Sequence, residues 1–121
     1  MKVLVIDDEP AMLHLLEEFL GEYCGHEVVT RSNVDDGLDM FHSFNPDKII
    51  TDWNMPAGGG ERLIKTVVAE GFNPQNIAVI TGFGVSDLEA LNNCYRALKL
   101  QIGMAFLKPL KFKEIQAFVE K

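Results

Sequence analysis

Short apolar runs alternate with longer stretches of helical periodicity along the chain. Runs rich in Val, Ile and Leu predict buried β-strands, while apolar residues spaced three and four apart predict helices. The five predicted strands cover Lys2–Ile6, 26–31, Lys48–Asp52, Ile77–Thr81 and 104–108. Such regular alternation predicts a fold built from βα units.

Apolar stripes with helical spacing lie between the predicted strands and after the last one. A helix with one apolar stripe packs that stripe against a neighbouring layer. The stripes comprise Met12, Leu13, Leu16, Phe19 and Leu20; Val34, Leu38, Met40 and Phe41; Leu63, Ile64, Val67 and Val68; and, after the last strand, Ile115, Phe118 and Val119.

The fourth predicted helix has a clear start signal. Ser86 followed by Glu89 is a capping-box pattern, in which the Ser86 hydroxyl accepts a hydrogen bond from the Glu89 amide. Behind this cap, one apolar face is expected from residues at helical spacing, namely Leu88, Leu91, Tyr95, Leu98 and Ile102.

Strands joined by single helices require right-handed crossovers, which give a parallel sheet with helices on both faces. The usual form is the doubly wound, flavodoxin-like α/β fold with strand order 2-1-3-4-5. With 121 residues and a mean hydropathy of +0.05, residues 1–121 are expected to form one domain. No effector domain is expected in this chain.

The charge balance limits the classes of partner. A formal net charge of −7 and a pI near 4.8 disfavour direct binding to nucleic acid or to anionic membranes. No apolar run is long enough for a signal peptide or a membrane span, so a cytoplasmic location is expected. Proteins or a small cation are the expected partners.

Residues that could carry chemistry lie at the carboxyl ends of four of the predicted strands. Asp7 and Asp8 come after the first strand, Asp52 ends the third, Thr81 ends the fourth and Lys108 ends the fifth. The carboxyl ends of parallel strands meet at one sheet edge, so these side chains are expected to converge. Three carboxylates together favour Mg²⁺, and a hydroxyl with an ammonium group completes a phosphate site.

Each of these residues alone has an ordinary structural explanation. Asp8 could cap the first helix, Asp52 could be a turn residue, and Lys108 before Pro109 could be a solvated lysine. The hypothesis of a functional site therefore depends on finding the required residue types at several strand ends together.

Four segments carry a resemblance to a known family. They are residues 3–9, 49–56, 79–82 and 106–109, and Gly60 adds to the second. Together they resemble the receiver domain of two-component response regulators, over essentially the whole chain. The stretch Asp-Trp-Asn-Met-Pro at 52–56 is especially similar to single-domain chemotaxis regulators.

The resemblance implies a role for each matching residue. Asp52 would be the phosphoacceptor, with Thr81 and Lys108 contacting the phosphoryl oxygens. Mg²⁺ would be held by Asp7, Asp8, Asp52 and the backbone carbonyl of Asn54.

The resemblance also implies partners and a mode of action. A histidine kinase or histidine phosphotransfer protein would supply the phosphoryl group in a two-component system or phosphorelay. Phosphorylation would switch the surface formed by helix 4, strand 5 and helix 5, and a downstream protein or effector domain would bind the switched surface. The chain would be a signalling phosphoacceptor rather than an enzyme, with only self-catalysed transfer and autodephosphorylation, and a monomer that could dimerise when phosphorylated.

Two positions depart from the family pattern. Ala105 stands where the family usually has an aromatic residue, so the usual aromatic switch is expected to be absent. Phe83 is large and apolar where the family often has a polar side chain that orients water, so slow loss of the phosphoryl group is expected.

Two other functions compete with this hypothesis. One is a pseudo-receiver that docks without phosphate, which the intact set of site residues disfavours. The other is an enzyme or carrier of another class, either a Mg²⁺-dependent phosphatase or a flavin protein. The acids Asp7 and Asp8 are adjacent rather than spaced Asp-x-Asp, and no hydroxyl-rich phosphate loop follows the first strand.

Overall fold

Five short strands form one parallel sheet in this computed structural model, which describes residues 1–82 and 86–121. The strand order is β2-β1-β3-β4-β5, which confirms the predicted doubly wound topology. The strands are β1 Lys2–Ile6, β2 Glu27–Arg31, β3 Lys48–Asp52, β4 Ile77–Thr81 and β5 Met104–Leu107.

Helices connect successive strands and cover both faces of the sheet. The first continues beyond its α-helical part as a π-helix over Glu17–Tyr23, and a short 3₁₀ turn at Pro74–Asn76 precedes β4. The described α-helices are α1 Pro10–Leu16, α2 Val34–Phe44, α3 Gly59–Ala69, α4 Asp87–Leu98 and α5 Phe112–Val119. None of the helices within residues 1–82 and 86–121 is long and apolar enough to cross a membrane.

Two strands are one residue shorter than predicted. His26 lies outside β2 because its amide donates to the Leu20 carbonyl at 2.9 Å and so closes the preceding helix. Lys108 lies outside β5, where its amide still bonds the Thr81 carbonyl at 3.0 Å. Pro109 follows it without an amide hydrogen to extend the ladder.

The strand register brings the site residues to one edge. Ile6 pairs with Thr51, and Asp52 pairs with Ile80. Asp7, which follows Ile6, therefore lies beside Asp52. Convergence at the carboxyl end of the sheet is a direct result of this parallel register.

Two apolar layers hold the sheet in place. Side chains alternate between its faces, so Leu4 and Ile6 join the layer beneath α2, α3 and α4, while Val3 and Val5 join the layer beneath α1 and α5. These residues are 1% exposed or less, as expected of a central parallel strand covered on both faces.

Four of the five residues predicted for the apolar face of α4 point outward, so the prediction is wrong about where this face packs. Ser86 caps the helix as predicted, accepting from the Glu89 amide at 3.2 Å. The side facing the protein carries Ala90, Asn93 and Ala97, because small residues let α4 lie close to the sheet. Ile102 is buried beyond the end of the helix. The large side chains turn outward and are more than half exposed, namely Leu88, Leu91, Tyr95 and Leu98.

A tight backbone contact joins the end of β3 to the start of α3. A Cβ at Gly60 would lie 2.5 Å from the Asp52 carbonyl oxygen and 3.0 Å from the Trp53 Cα. The Gly60 amide also donates to the Trp53 carbonyl at 2.9 Å. Glycine is therefore required here for space.

We expect Gly60→Ala to lower the free energy of unfolding by about 1–3 kcal/mol, because backbone must move to admit the methyl group. Gly21→Ala is the matched control, since a Cβ there would lie 3.8 Å from its nearest neighbours. Urea denaturation followed by circular dichroism measures both variants. Equal stability of the two variants would show that the Gly60 contact is not constraining.

Candidate functional site

Three carboxylates meet at the carboxyl edge of the sheet. Asp7 and Asp8 follow β1, Asp52 ends β3, and one oxygen from each lies within 4.8 Å of the others. Asp7 and Asp52 are buried, whereas Asp8 is exposed at the rim. The structure thus brings together the three acids that the sequence predicts as metal ligands.

Asp52 is held in a setting that disfavours its charge. Burial raises the pKa of its carboxyl group to about 7, with repulsion from Asp7 as the next cause. The nearby charge of Lys108 and a hydrogen bond from the Asn54 amide to Asp52 Oδ1, at 3.3 Å, act in the opposite direction. A further positive charge would stabilise the ionised form.

The environment of the Asp7 carboxylate fits a cation site. Its Oδ1 accepts from the Glu9 amide at 2.8 Å, while its Oδ2 is buried and has no hydrogen-bond partner among the described residues. Burial raises the pKa of this carboxyl group as well. An unpaired buried carboxylate oxygen beside two other acids fits a hard divalent ion such as Mg²⁺.

Lys108, which follows β5, and Thr81, which ends β4, border the acids. The Lys108 side chain is 4% exposed, and its Nζ lies 3.9 Å from Glu9 Oε2. Its positive charge partly offsets the rise that burial causes in the pKa of Asp7 and of Asp52. Thr81 is fully buried at the end of β4.

Gly82 allows the close approach of Lys108. Its φ of +136° favours glycine, and a Cβ there would lie 3.2 Å from both the Cβ and the amide nitrogen of Lys108. Glycine at this position therefore lets the β4 and β5 ends meet, so that the ammonium group reaches the acids.

Asn93 borders the site through two hydrogen bonds, and the sequence did not reveal it. It lies on the buried side of α4, where its Nδ2 donates to Thr81 Oγ1 at 3.3 Å and to Asn54 Oδ1 at 3.5 Å. Asn54 Nδ2 is buried without a hydrogen-bond partner among the described residues. One sequence signal was available, because Asn93 stands at helical spacing between Ala90 and Ala97.

Two departures noted in the sequence have different outcomes. Ala105 pairs with Val79 and packs in the layer beneath α4, whereas Phe106 lies in the opposite layer. The β5 aromatic ring thus faces away from α4. Phe83 lies outside the described residues, and its expected effect on phosphoryl loss stays a prediction.

Comparison with known proteins agrees with the geometry. The family model for the response regulator receiver domain matches residues 3–120. The probable C4-dicarboxylate response regulator DctR of Priestia megaterium is 28% identical over 122 residues, covering 98% of this chain and 50% of that protein. The chemotaxis protein CheY of Pseudomonas aeruginosa is 36% identical over 73 residues, covering 58% of this chain and 56% of that protein.

The fold is also similar to a solved receiver structure. The crystal structure of a response regulator receiver domain protein from Clostridium thermocellum matches with a TM-score of 0.83 and 30% identity, covering 98% of this chain and 90% of that chain. The chain spans about half the length of the two curated relatives. On the family match and the shared fold, the chain belongs to the response regulator receiver domain family of two-component signalling.

Proposed function

We propose that this chain accepts a phosphoryl group on Asp52 from a histidine kinase or a histidine phosphotransfer protein. The observation that carries the proposal is the meeting of Asp7, Asp8 and Asp52 within 4.8 Å, bordered by the buried Lys108. In this role the chain is a signalling phosphoacceptor, and residues 1–121 act as one receiver module.

The transfer needs a nucleophile and compensating positive charge. A carboxylate oxygen of Asp52 attacks phosphorus, the bond from phosphorus to the donor nitrogen breaks, and its electron pair leaves with the imidazole. The product is an acyl phosphate on Asp52. Lys108 contributes positive charge toward the phosphoryl oxygens, and the Thr81 hydroxyl donates a hydrogen bond to one of them.

Asp7, Asp8 and Asp52, with the Asn54 carbonyl, would hold Mg²⁺. When bound, the ion neutralises charge on the carboxylates and on the transferred phosphoryl group. Asp7 Oδ2 has no hydrogen-bond partner among the described residues, which supports this assignment. The pKa of Asp52, which is raised by burial and then by repulsion from Asp7, supports it as well, because a bound cation would stabilise the ionised carboxylate.

The output surface is the second part of the proposal. The outward face of α4 exposes Leu88, Leu91 and Tyr95, and Leu107 of β5 is 44% exposed. We expect a downstream protein or effector domain to bind this surface together with α5. The net charge of −7 supports a protein partner rather than nucleic acid or a membrane. The cytoplasm is the proposed location of this interaction.

A pseudo-receiver that docks without phosphate is the competing function. Such a module has no need to bury Asp7 beside Asp52, because buried like charges destabilise a fold without a bound cation or phosphoryl group. The retained acids and Lys108 therefore favour phosphoryl chemistry.

Incubation with acetyl phosphate and Mg²⁺, followed by intact-mass measurement, tests the proposal. The wild-type chain should gain one phosphoryl group and Asp52→Asn should gain none, because that variant lacks the nucleophile. Asp8→Asn should require about tenfold more Mg²⁺, since it loses one ligand. Asp39→Asn, an exposed change on α2, is the matched control and should behave as wild type. A full adduct on Asp52→Asn would contradict the site assignment.

The raised pKa of Asp52 also predicts how stability varies with pH. An aspartate whose pKa is raised from 3.8 to about 7 by folding destabilises the folded state when ionised, so the cost is largest above pH 7 and is relieved as the pH falls toward 3.8. Without Mg²⁺, Asp52→Asn should therefore raise the free energy of unfolding by roughly 2–4 kcal/mol at pH 8.

At pH 5 the gain from Asp52→Asn should be clearly smaller. Urea denaturation in a chelating buffer at both pH values gives the comparison, with Asp39→Asn as the control for loss of an exposed charge. A gain that is absent at pH 8, or that is larger at pH 5, would show that burial does not disfavour the Asp52 charge.

A further inference from the structure

The buried side of α4 contains a polar side chain between two small apolar ones. Ala90, Asn93 and Ala97 are the buried residues of this helix, and Asn93 is only 5% exposed. A buried amide destabilises a fold unless its polar atoms are hydrogen-bonded. The partners of Asn93 therefore show what its side chain does.

Both partners that accept from Asn93 Nδ2 belong to the phosphoryl site. Thr81 Oγ1 lies 3.3 Å away and Asn54 Oδ1 lies 3.5 Å away. Both distances are longer than is typical for a hydrogen bond from nitrogen to oxygen, and the two N–H groups of the amide allow one bond to each acceptor. One group on α4 thus contacts both the segment that follows β3 and the end of β4.

The β5 strand offers no aromatic ring on this side of the sheet. Ala105 presents only a methyl group to the layer beneath α4, while Phe106 packs against Phe118 in the opposite layer. A ring at β5 therefore cannot transmit movement of Thr81 to α4. The contact between Asn93 and Thr81 provides a direct connection instead.

A second contact holds the other half of α4. The Arg96 guanidinium lies 5.6 Å from the centre of the Trp53 ring and pairs with Glu61 at 3.0 Å. Neither contact involves Thr81. A change at Asn93 can therefore alter the helix around its middle while this anchor stays in place.

We propose that Asn93 is the positioning residue through which α4 responds to the phosphorylation state of Asp52. This inference rests on the proposed function, since it assumes that a phosphoryl group reaches Asp52. When the Thr81 hydroxyl turns to donate to a phosphoryl oxygen, its Oγ1 moves away from Asn93 Nδ2. The buried amide then lacks one acceptor, and α4 shifts to satisfy it.

The outward face of α4 gives this shift a consequence. Leu88, Leu91 and Tyr95 are exposed on the side opposite Asn93. A displacement of the helix moves these side chains relative to β5. The state of Asp52 therefore changes the surface that a partner contacts.

Amide hydrogen exchange in α4, measured with and without Mg²⁺ and beryllofluoride, tests the inference. In the wild type the phosphate mimic should speed exchange in this helix about fivefold, the population ratio that one ordinary hydrogen bond supports. In Asn93→Leu and in the smaller Asn93→Ala this change should be lost. Asn92→Leu, an exposed change one residue away, should respond as wild type.

Adduct formation with acetyl phosphate, followed by mass in the same four proteins, separates the two levels of the account. The Asn93 variants should still gain the phosphoryl group, because the hydrogen bonds of Asn93 within the described residues go to Thr81 and Asn54 and not to Asp52. A rise in α4 exchange that survives in both Asn93 variants would overturn the inference and leave the proposed function standing. Unchanged or slower α4 exchange with beryllofluoride, in a wild type that does gain the phosphoryl adduct, would also overturn the inference alone. A wild type that gains no adduct would overturn the proposed function and the inference with it.

Discussion

Repulsion among three closely held carboxylates is the constraint on which the rest of this structure depends. Asp7, Asp8 and Asp52 offer oxygens within 4.8 Å of one another, and two of the three residues are buried. Burial and the charge of Asp7 together raise the pKa of Asp52 to about 7. Lys108 offsets part of this cost. The proposed binding of Mg²⁺ and the proposed phosphorylation of Asp52 both rest on that imbalance.

The parallel sheet provides the rigidity that such an arrangement needs. β1 and β3 are adjacent and in register, so neither Asp7 nor Asp52 can move away without disturbing two apolar layers. Gly60 packs against the Asp52 carbonyl, and Gly82 lets Lys108 approach from β5. A fold with this much buried apolar surface can hold a locally unfavourable cluster.

Sequence patterns predict the sheet and the acids well because both depend on local periodicity and on strand ends. They fail on α4, where Leu88 and Tyr95 have helical spacing but face outward. Periodicity shows that one face is apolar, but it does not show whether that face packs inside or awaits a partner. The spacing of Ala90, Asn93 and Ala97 could indicate that Asn93 is buried, but its role depends on the tertiary contact with Thr81, which the sequence does not show.

A crystal structure of the protein with Mg²⁺ and beryllofluoride tests the central claim most directly. The account predicts beryllium bonded to a carboxylate oxygen of Asp52, the metal ion in contact with Asp7 and Asp8, and the Lys108 ammonium group and Thr81 hydroxyl directed at the fluorines. Beryllofluoride bound at another residue, or a metal ion bound away from the three acids, would contradict it.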